Sequence, residues 1–301
     1  MNGEPPARSI AAAIADATGE AFGLTAVRPV GGGCIHAALE LAGATARGEQ
    51  RYFAKVDEAQ HAAMFAAEAD GLAALADAGA LRTPKLVAQG SDAEHAWIVL
   101  EWLDLEALGP ASAAKLGAAL AAQHRIAQGR FGWPRDNFIG ASPQVNTPCD
   151  DWPAFWRDRR LHAQLRTAAA NRLPSKMIDR GERLAADCEA FFRNHAVERS
   201  LLHGDLWGGN AAALAGSVPV VFDPAVYVGD READVAMTEL FGGFPPDFLS
   251  AYRTHWPLDG GYTVRRDLYN LYHVLNHANL FAGGYVRQAA DAIERLLAEI
   301  A

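Results

Sequence analysis

The chain has 301 residues, with 27 basic and 36 acidic side chains and a net charge of −9. Half the residues are hydrophobic and 21% are charged, which excludes a disordered chain, and the scattered acidic excess lacks the basic footprint that sequence-independent nucleic-acid binding needs. Cys34, Cys149 and Cys188 are too few for a disulfide framework, and an odd count fits a reducing compartment.

The first element is an amphipathic helix over residues 9–21, capped by Ser9, with Ile10, Ala13, Ile14 and Ala17 on one face. The run from Ser9 to Ala15 is short, preceded by Glu4 and ended by Asp16, so it does not read as a secretory signal. No run approaches the roughly 18 apolar residues that cross a bilayer. The chain therefore reads as cytoplasmic, with no membrane or nucleic-acid partner. Strand-like runs follow at Thr25–Val30, His36–Ala42 and Arg51–Val56, with a polar turn from Gly43 to Gln50. A helix is expected over 60–78, then strands at Lys85–Gln89 and Ala96–Glu101. Three strands, a helix and two returning strands do not alternate as βαβ units, so a small antiparallel sheet with a helix packed on it is favoured.

After Trp102 the pattern turns helical. Pro110–Gln128, Asp151–Ala170, Arg180–His195, Arg231–Phe241, Pro246–His255, Val264–Phe281 and Val286–Ile300 read as helices, with a loop over 129–150. The expected division is residues 1–101 as a mixed part that binds nucleotide phosphates and residues 102–301 as a helical part with catalytic, metal and substrate groups.

The segment His203-Gly204-Asp205-Leu206-Trp207-Gly208-Gly209-Asn210 carries the chemistry, together with the apolar run Val220-Val221-Phe222 that ends in Asp223. Phosphoryl transfer from ATP needs a carboxylate beside the attacking hydroxyl and hard oxygen ligands for Mg²⁺. His-x-Asp-x-x-x-x-Asn followed by a strand ending in Asp is the arrangement of a kinase catalytic loop. The competing reading is a polar loop with a helix-capping Asp.

Upstream residues weigh against that. Lys55 lies in the strand-like run Tyr52-Phe53-Ala54-Lys55-Val56. On the following helix Glu68 shares a sector of about 80° with Phe65, Leu72 and Leu75. A carboxylate on an apolar stripe needs a cation, and Lys55 is the economical candidate. Kinases use such a pair to position phosphates. Gly31-Gly32-Gly33-Cys34 precedes Lys55 between two strands, where glycines let backbone N–H groups approach phosphate oxygens. A plain hairpin turn is the alternative. Asp234 is expected to start a helix, where it accepts hydrogen bonds from the catalytic-loop backbone or complements the helix dipole. Only four of the 27 basic residues are Lys: Lys55, Lys85, Lys115 and Lys176. A Lys that persists inside a strand despite that bias points to a need for a compact ammonium.

These residues, with Gly229-Asp230-Arg231-Glu232-Ala233-Asp234-Val235-Ala236-Met237, Pro143-Gln144-Val145-Asn146, Asp151-Trp152-Pro153-Ala154-Phe155-Trp156 and Phe241-Gly242-Gly243-Phe244-Pro245, resemble the fructosamine kinase (ketosamine-3-kinase) family. The resemblance runs from Gly31 to the helix holding Asn276 and His277. Asp230 and Val228 depart from it, since a His and an aromatic residue are common there. It implies an α+β, protein-kinase-like bilobal fold with a small antiparallel-sheet lobe and a mostly helical lobe. The implied activity is ATP-dependent phosphorylation of the 3-hydroxyl of ketosamines, as fructosamine, ribulosamine or erythrulosamine adducts, either on small amines or on glycated protein lysines.

Carried onto this chain, Asp205 would be the base, Asn210 and Asp223 the Mg²⁺ ligands, and Lys55 and Glu68 the phosphate-positioning pair. The Glu101, Trp102 and Leu103 backbone would read adenine, and His203 and Asp234 would support the loop. Trp207 is the expected stacking residue for the sugar, with Asn146, Asp150 and Asp151 as polar substrate contacts. Cys34 is a candidate redox switch, so a monomer or a redox-linked dimer is expected. The rivals are an aminoglycoside- or choline-type kinase and an inactive kinase-like binding protein.

Overall fold

The computed structural model describes residues 6–31 and 36–300. The chain begins with α1 (Ala7–Thr18), β1 (Gly23–Pro29), β2 (Ala37–Thr45), β3 (Gly48–Glu58), α2 (Ala62–Ala78), β4 (Leu86–Ser91) and β5 (His95–Glu101). The five strands form one antiparallel sheet in the order β1-β2-β3-β5-β4. Its two faces follow from the period-two alternation of strands. Ala54, Val56, Trp97 and Val99 pack toward Ile10 and Ile14 of α1. Ala96, Ile98 and Leu100 pack toward Phe65, Ala69 and Leu72 of α2. Lys55 alternates with Ala54 and Val56 and pairs across the ladder with Ile98, so it faces α2. That register puts an ammonium on the face where Glu68 lies.

The hairpin between β2 and β3 differs from the sequence reading. The strands run on to Thr45 and from Gly48, so the turn is two residues rather than the stretch from Gly43 to Gln50. The distal ladder projects polar side chains such as Glu49 and Arg51 into solvent, and its backbone bonds, not an apolar pattern, hold it.

The remainder comprises α3 (Pro110–His124), β6 (Asn137–Ile139), β7 (Ser142–Gln144), α4 (Trp152–Trp156), α5 (His162–Ala170), α6 (Ser175–Ala186), β8 (Ser200–Leu202), β9 (Ala211–Leu214), β10 (Val218–Val221), β11 (Tyr227–Gly229), α7 (Glu232–Leu240), α8 (Pro246–His255), α9 (Tyr262–Phe281) and α10 (Gly284–Glu299). One π-helical turn, Arg157–Leu161, joins α4 to α5. The expected loop over 129–150 contains the β6–β7 hairpin. The expected helix over 180–195 starts earlier, at Ser175, and gives way to a 3₁₀ turn at Cys188–Phe192. Strand β9 was not foreseen, because an all-alanine start has no strand signature and is held there by pairing with β10.

The helices pack α3 on α8, α7 on α9, and α9 on α10 and α5. The small ribbon β8–β11 brackets the segment from His203 to Asp223, and a second ribbon, β9–β10, lies within it. Among the described residues no helix is long and apolar enough to cross a membrane.

Candidate active site

Lys55 Nζ sits 2.7 Å from Glu68 Oε1 and 2.6 Å from Asp223 Oδ1. Burial works against the ammonium, but Glu68 and Asp223 outweigh it and hold Lys55 protonated, its pKa raised. Burial raises the Glu68 carboxyl, with Lys55 opposing and Asp223 adding to the shift. Helix α2 keeps Glu68 in place by its own contacts. At Gly71, one turn on, a β-carbon would lie 3.2 Å from Pro224 and 3.3 Å from Val226. Trp133 Nε1 donates to Asp70 Oδ2 at 2.7 Å on the same helix.

The loop after β8 is built around Asp234, 1% exposed in the first turn of α7. Its carboxylate accepts from the backbone N–H groups of His203 at 2.7 Å and Gly204 at 2.8 Å, and lies 3.1 Å from His124 Nε2. Burial opposes the charge, yet His124, His203 and the Gly204 N–H hold this carboxyl below its ordinary value. His203 Nε2 is 3.0 Å from the Phe222 carbonyl, and its Nδ1 receives the Asp205 N–H at 3.3 Å. The network therefore assigns the proton to Nε2. Burial lowers the His203 pKa, consistent with a neutral ring. Gly204 is at φ +82°, and a β-carbon there would run into the Ala225 carbonyl oxygen.

Asn210 Nδ2 donates to the Asp205 backbone oxygen at 2.9 Å and to Asp205 Oδ2 at 3.1 Å, and reaches Asp223 O at 3.5 Å. With the amide nitrogen so committed, Asn210 Oδ1 is the atom left to ligate. Asp223 has φ +57°, a left-handed conformation that costs a non-glycine residue about 1 kcal/mol and is eased for Asp. Its side chain is 43% exposed. An amide oxygen and a carboxylate side by side form the hard donor set that Mg²⁺ takes, so the residues fit that ion. Burial, then the Asp223 charge, push the Asp205 carboxyl up to about 7.

Other expected residues fall as follows. Gly31 is described and open, whereas Gly32, Gly33 and Cys34 lie outside the described residues. Glu101 ends β5, and the chain leaves the sheet at Trp102 and Leu103. Glu101 Oε1 accepts the Lys85 N–H at 2.6 Å, and Trp102 Nε1 donates to Asp104 at 2.9 Å. Trp207 is 39% exposed and meets Phe241 edge-on at 6.2 Å. A β-carbon at Gly209 would overlap the Trp207 ring, so the glycine leaves room for the ring where it lies.

Of the three polar substrate-contact expectations, burial overturns Asn146, while Asp150 and Asp151 stay exposed. Asn146 is 0% exposed, its amide engaged by Arg160, Asn137 and the Arg135 carbonyl, so it supports the interior. Asp151 caps α4 by accepting the Ala154 N–H at 2.7 Å. Asp150 pairs with Arg130 at 2.9 Å. Asp230 is likewise interior, accepting from Tyr269 at 2.5 Å and lying 2.7 Å from His195 Nε2. Sequence reasoning missed His124, Asn137 and Arg160. Their roles come from folding contacts far along the chain, and no local motif marks them.

The fructosamine kinase family model matches residues 6–299. A probable ketoamine kinase of Synechocystis sp. is 42% identical over 302 residues, covering 99% of each chain. The chloroplastic protein-ribulosamine 3-kinase of Arabidopsis thaliana is 38% identical over 282 residues, covering 93% of this chain and 85% of that one. A crystal structure assigned as a fructosamine-3-kinase, from Haemophilus somnus 129PT, superposes with a TM-score of 0.87 at 28% identity, over 96% of both chains. Choline kinase from Streptococcus pneumoniae shares the bilobal, kinase-like α+β fold at a TM-score of 0.59 and 16% identity, over 97% of this chain and 98% of that one. With residues 6–299 matched and the Lys55, Glu68, Asp205, Asn210 and Asp223 side chains present, this protein belongs to the fructosamine kinase family, whose members are ATP-dependent kinases.

Proposed function

We propose that the protein transfers the γ-phosphoryl group of ATP to the 3-hydroxyl of ketosamines. The observation that carries this reading is the meeting of two groups of side chains. Lys55, held between Glu68 and Asp223, presents an ammonium to phosphate oxygens, while Asp205, tied to Asn210, offers a carboxylate for the acceptor hydroxyl. In this reading residues 1–101 bind the nucleotide phosphates and 102–301 carry catalysis and the acceptor. The backbone at Glu101, Trp102 and Leu103 reads adenine, and Gly31 with its neighbours covers the phosphates. Asn210 Oδ1 and the Asp223 carboxylate hold Mg²⁺, which when bound neutralises charge on the phosphates. Asp205 orients the hydroxyl and takes its proton. The exposed Trp207 ring supplies a stacking face for the sugar. The names of the relatives, a probable ketoamine kinase and a protein-ribulosamine 3-kinase, support ketosamine acceptors.

The direct test is a phosphorylation screen with Mg-ATP that offers fructose-, ribulose- and erythrulose-amine adducts beside kanamycin and choline. Transfer to at least one ketosamine, with kanamycin and choline inert, is the expected result. Transfer to kanamycin or choline alone would overturn the reading.

Lys55→Arg is expected to lower kcat/KM about 100-fold, because a planar fork cannot take the place of a compact ammonium 2.6–2.7 Å from two carboxylates. Lys85→Arg, Lys115→Arg and Lys176→Arg should stay within twofold of the parent. These three lie on the surface, where the Lys115 ammonium donates to the Gly216 carbonyl at 3.1 Å. Steady-state kinetics of the four variants checks this, and an active Lys55→Arg enzyme refutes the role.

A further inference from the structure

Behind Asp223, on the side away from the catalytic loop, lies a buried polar chain that the proposed mechanism does not use. It begins at Arg160, which is 0% exposed. Among the described residues no carboxylate pairs with this guanidinium. It lies over the rings of Tyr227 at 4.1 Å and Phe155 at 4.8 Å. Its Nη1 donates to the Val145 carbonyl at 2.6 Å and its Nη2 to Asn146 Oδ1 at 2.8 Å. Asn146 Nδ2 donates in turn to Asn137 Oδ1 at 2.8 Å, and Asn137 Nδ2 to the Val226 carbonyl at 2.7 Å. Gln144 Nε2 joins the same chain, donating to Asn137 Oδ1 at 2.8 Å and to the Ala225 carbonyl at 3.1 Å, while Tyr272 donates to Gln144 Oε1 at 2.9 Å.

Every amide in this chain is oriented the same way. The cation sits at one end and the two carbonyls just after Asp223 at the other. A chain of hydrogen bonds polarises along its length, so a cation at its head strengthens the last donors. On the opposite side the Ala225 N–H donates to the His203 carbonyl at 2.8 Å. The peptide after Asp223 is thereby clamped between the catalytic loop and two buried amides, while Asp223 itself holds the left-handed φ of +57°.

We infer that Asn137 and Gln144, backed by Asn146 and Arg160, are positioning residues that fix where the Asp223 carboxylate points. The Pro143-Gln144-Val145-Asn146 motif thus acts through the backbone of residues 225–226 rather than on the acceptor. This rests on Asp223 as a Mg²⁺ ligand, and the experiment separates the two claims.

The probe is Mn²⁺, with its affinity for the ADP-bound full-length protein read by electron paramagnetic resonance. Asn137→Asp keeps the acceptor but turns a carboxylate on the Val226 carbonyl. Gln144→Met keeps the shape and removes the donor. Each should weaken Mn²⁺ binding about tenfold, the scale expected for outer partners of a metal ligand. Raising Mn²⁺ should restore kcat in both. Leu296→Ala, in the core of α10, should lower Tm with Mn²⁺ affinity unchanged, which sets apart a loss of stability. Wild-type Mn²⁺ affinity in either folded amide variant, or failure of both to fold, overturns the positioning role in favour of plain structural support. If Asp223→Ala binds Mn²⁺ like wild type, the ligand assignment falls instead. The Mn²⁺ affinities and melting temperatures need no ketosamine, so they stand whatever the acceptor proves to be.

Discussion

Asp205→Asn is expected to leave the protein folded and to lower kcat about 1,000-fold. A positioned base contributes roughly 10²–10⁴ in rate, and the amide keeps the shape while losing the basic oxygen. A second consequence runs the other way. Burial and the Asp223 charge hold the Asp205 carboxyl near 7, well above its ordinary 3.8. The native state thus binds this proton more tightly than the unfolded chain does. The wild type therefore loses stability as pH rises from about 4 through about 7, and above that the ionised carboxylate is a standing cost. Asp205→Asn removes it. With solvent screening the gain at pH 8 is about 2 kcal/mol, and it vanishes toward pH 4. Initial rates and melting curves at pH 5 and pH 8 check both parts. Near-wild-type turnover would refute the base, and a pH 8 melting temperature below that of the wild type would refute the electrostatic account.

Asp234→Ala should be the most destabilising single change in the site. It leaves the N–H groups of His203 and Gly204, and the His124 ring, without their acceptor in the interior. Each orphaned buried donor costs about 1–3 kcal/mol, so a total near 4 kcal/mol is expected, with activity falling as the loop loosens. The sign with pH is opposite to that of Asp205. Asp234 has a depressed native pKa, so its stabilisation is present above the ordinary carboxylate range and fades as pH falls through the native value. Urea titrations at pH 7 measure the loss. A variant within 1 kcal/mol of the wild type, with intact turnover, would show that Asp234 is only a helix-dipole partner.

The site was more legible in the sequence than its supports were. Lys55 and Glu68 could be paired because alternation fixes a strand residue's face and helical period fixes the other partner's stripe, both local rules. Spacing put Asp205, Asn210 and Asp223 on one turn and one strand end. Asn146 misled because a polar residue in a Pro/Asn-rich loop looks exposed. Its burial depends on Arg160, which reaches it from the π-helical turn, and nothing in the loop itself announces that partner. His124 reaches Asp234 from 110 residues away, a contact that no periodicity encodes. The β2–β3 turn was placed too broadly because the outer ladder has little apolar alternation, and only the hydrogen-bonding register defines its end.

Helix α2 meets Pro224 and Val226 at Gly71 and is tied to Trp133 through Asp70. It is thus wedged against the other half of the molecule before any nucleotide arrives. Kinases governed by signals keep this helix free to swing, so that an input can set it. Here the helix is seated closely, and a methyl at position 71 would sit 3.2–3.3 Å from the side chains of Pro224 and Val226. The ordering entropy of the Lys55–Glu68 pair is met once, when the chain folds, and not again in each catalytic cycle. The phosphate-positioning pair is thus set by the fold itself, ready for each nucleotide that binds.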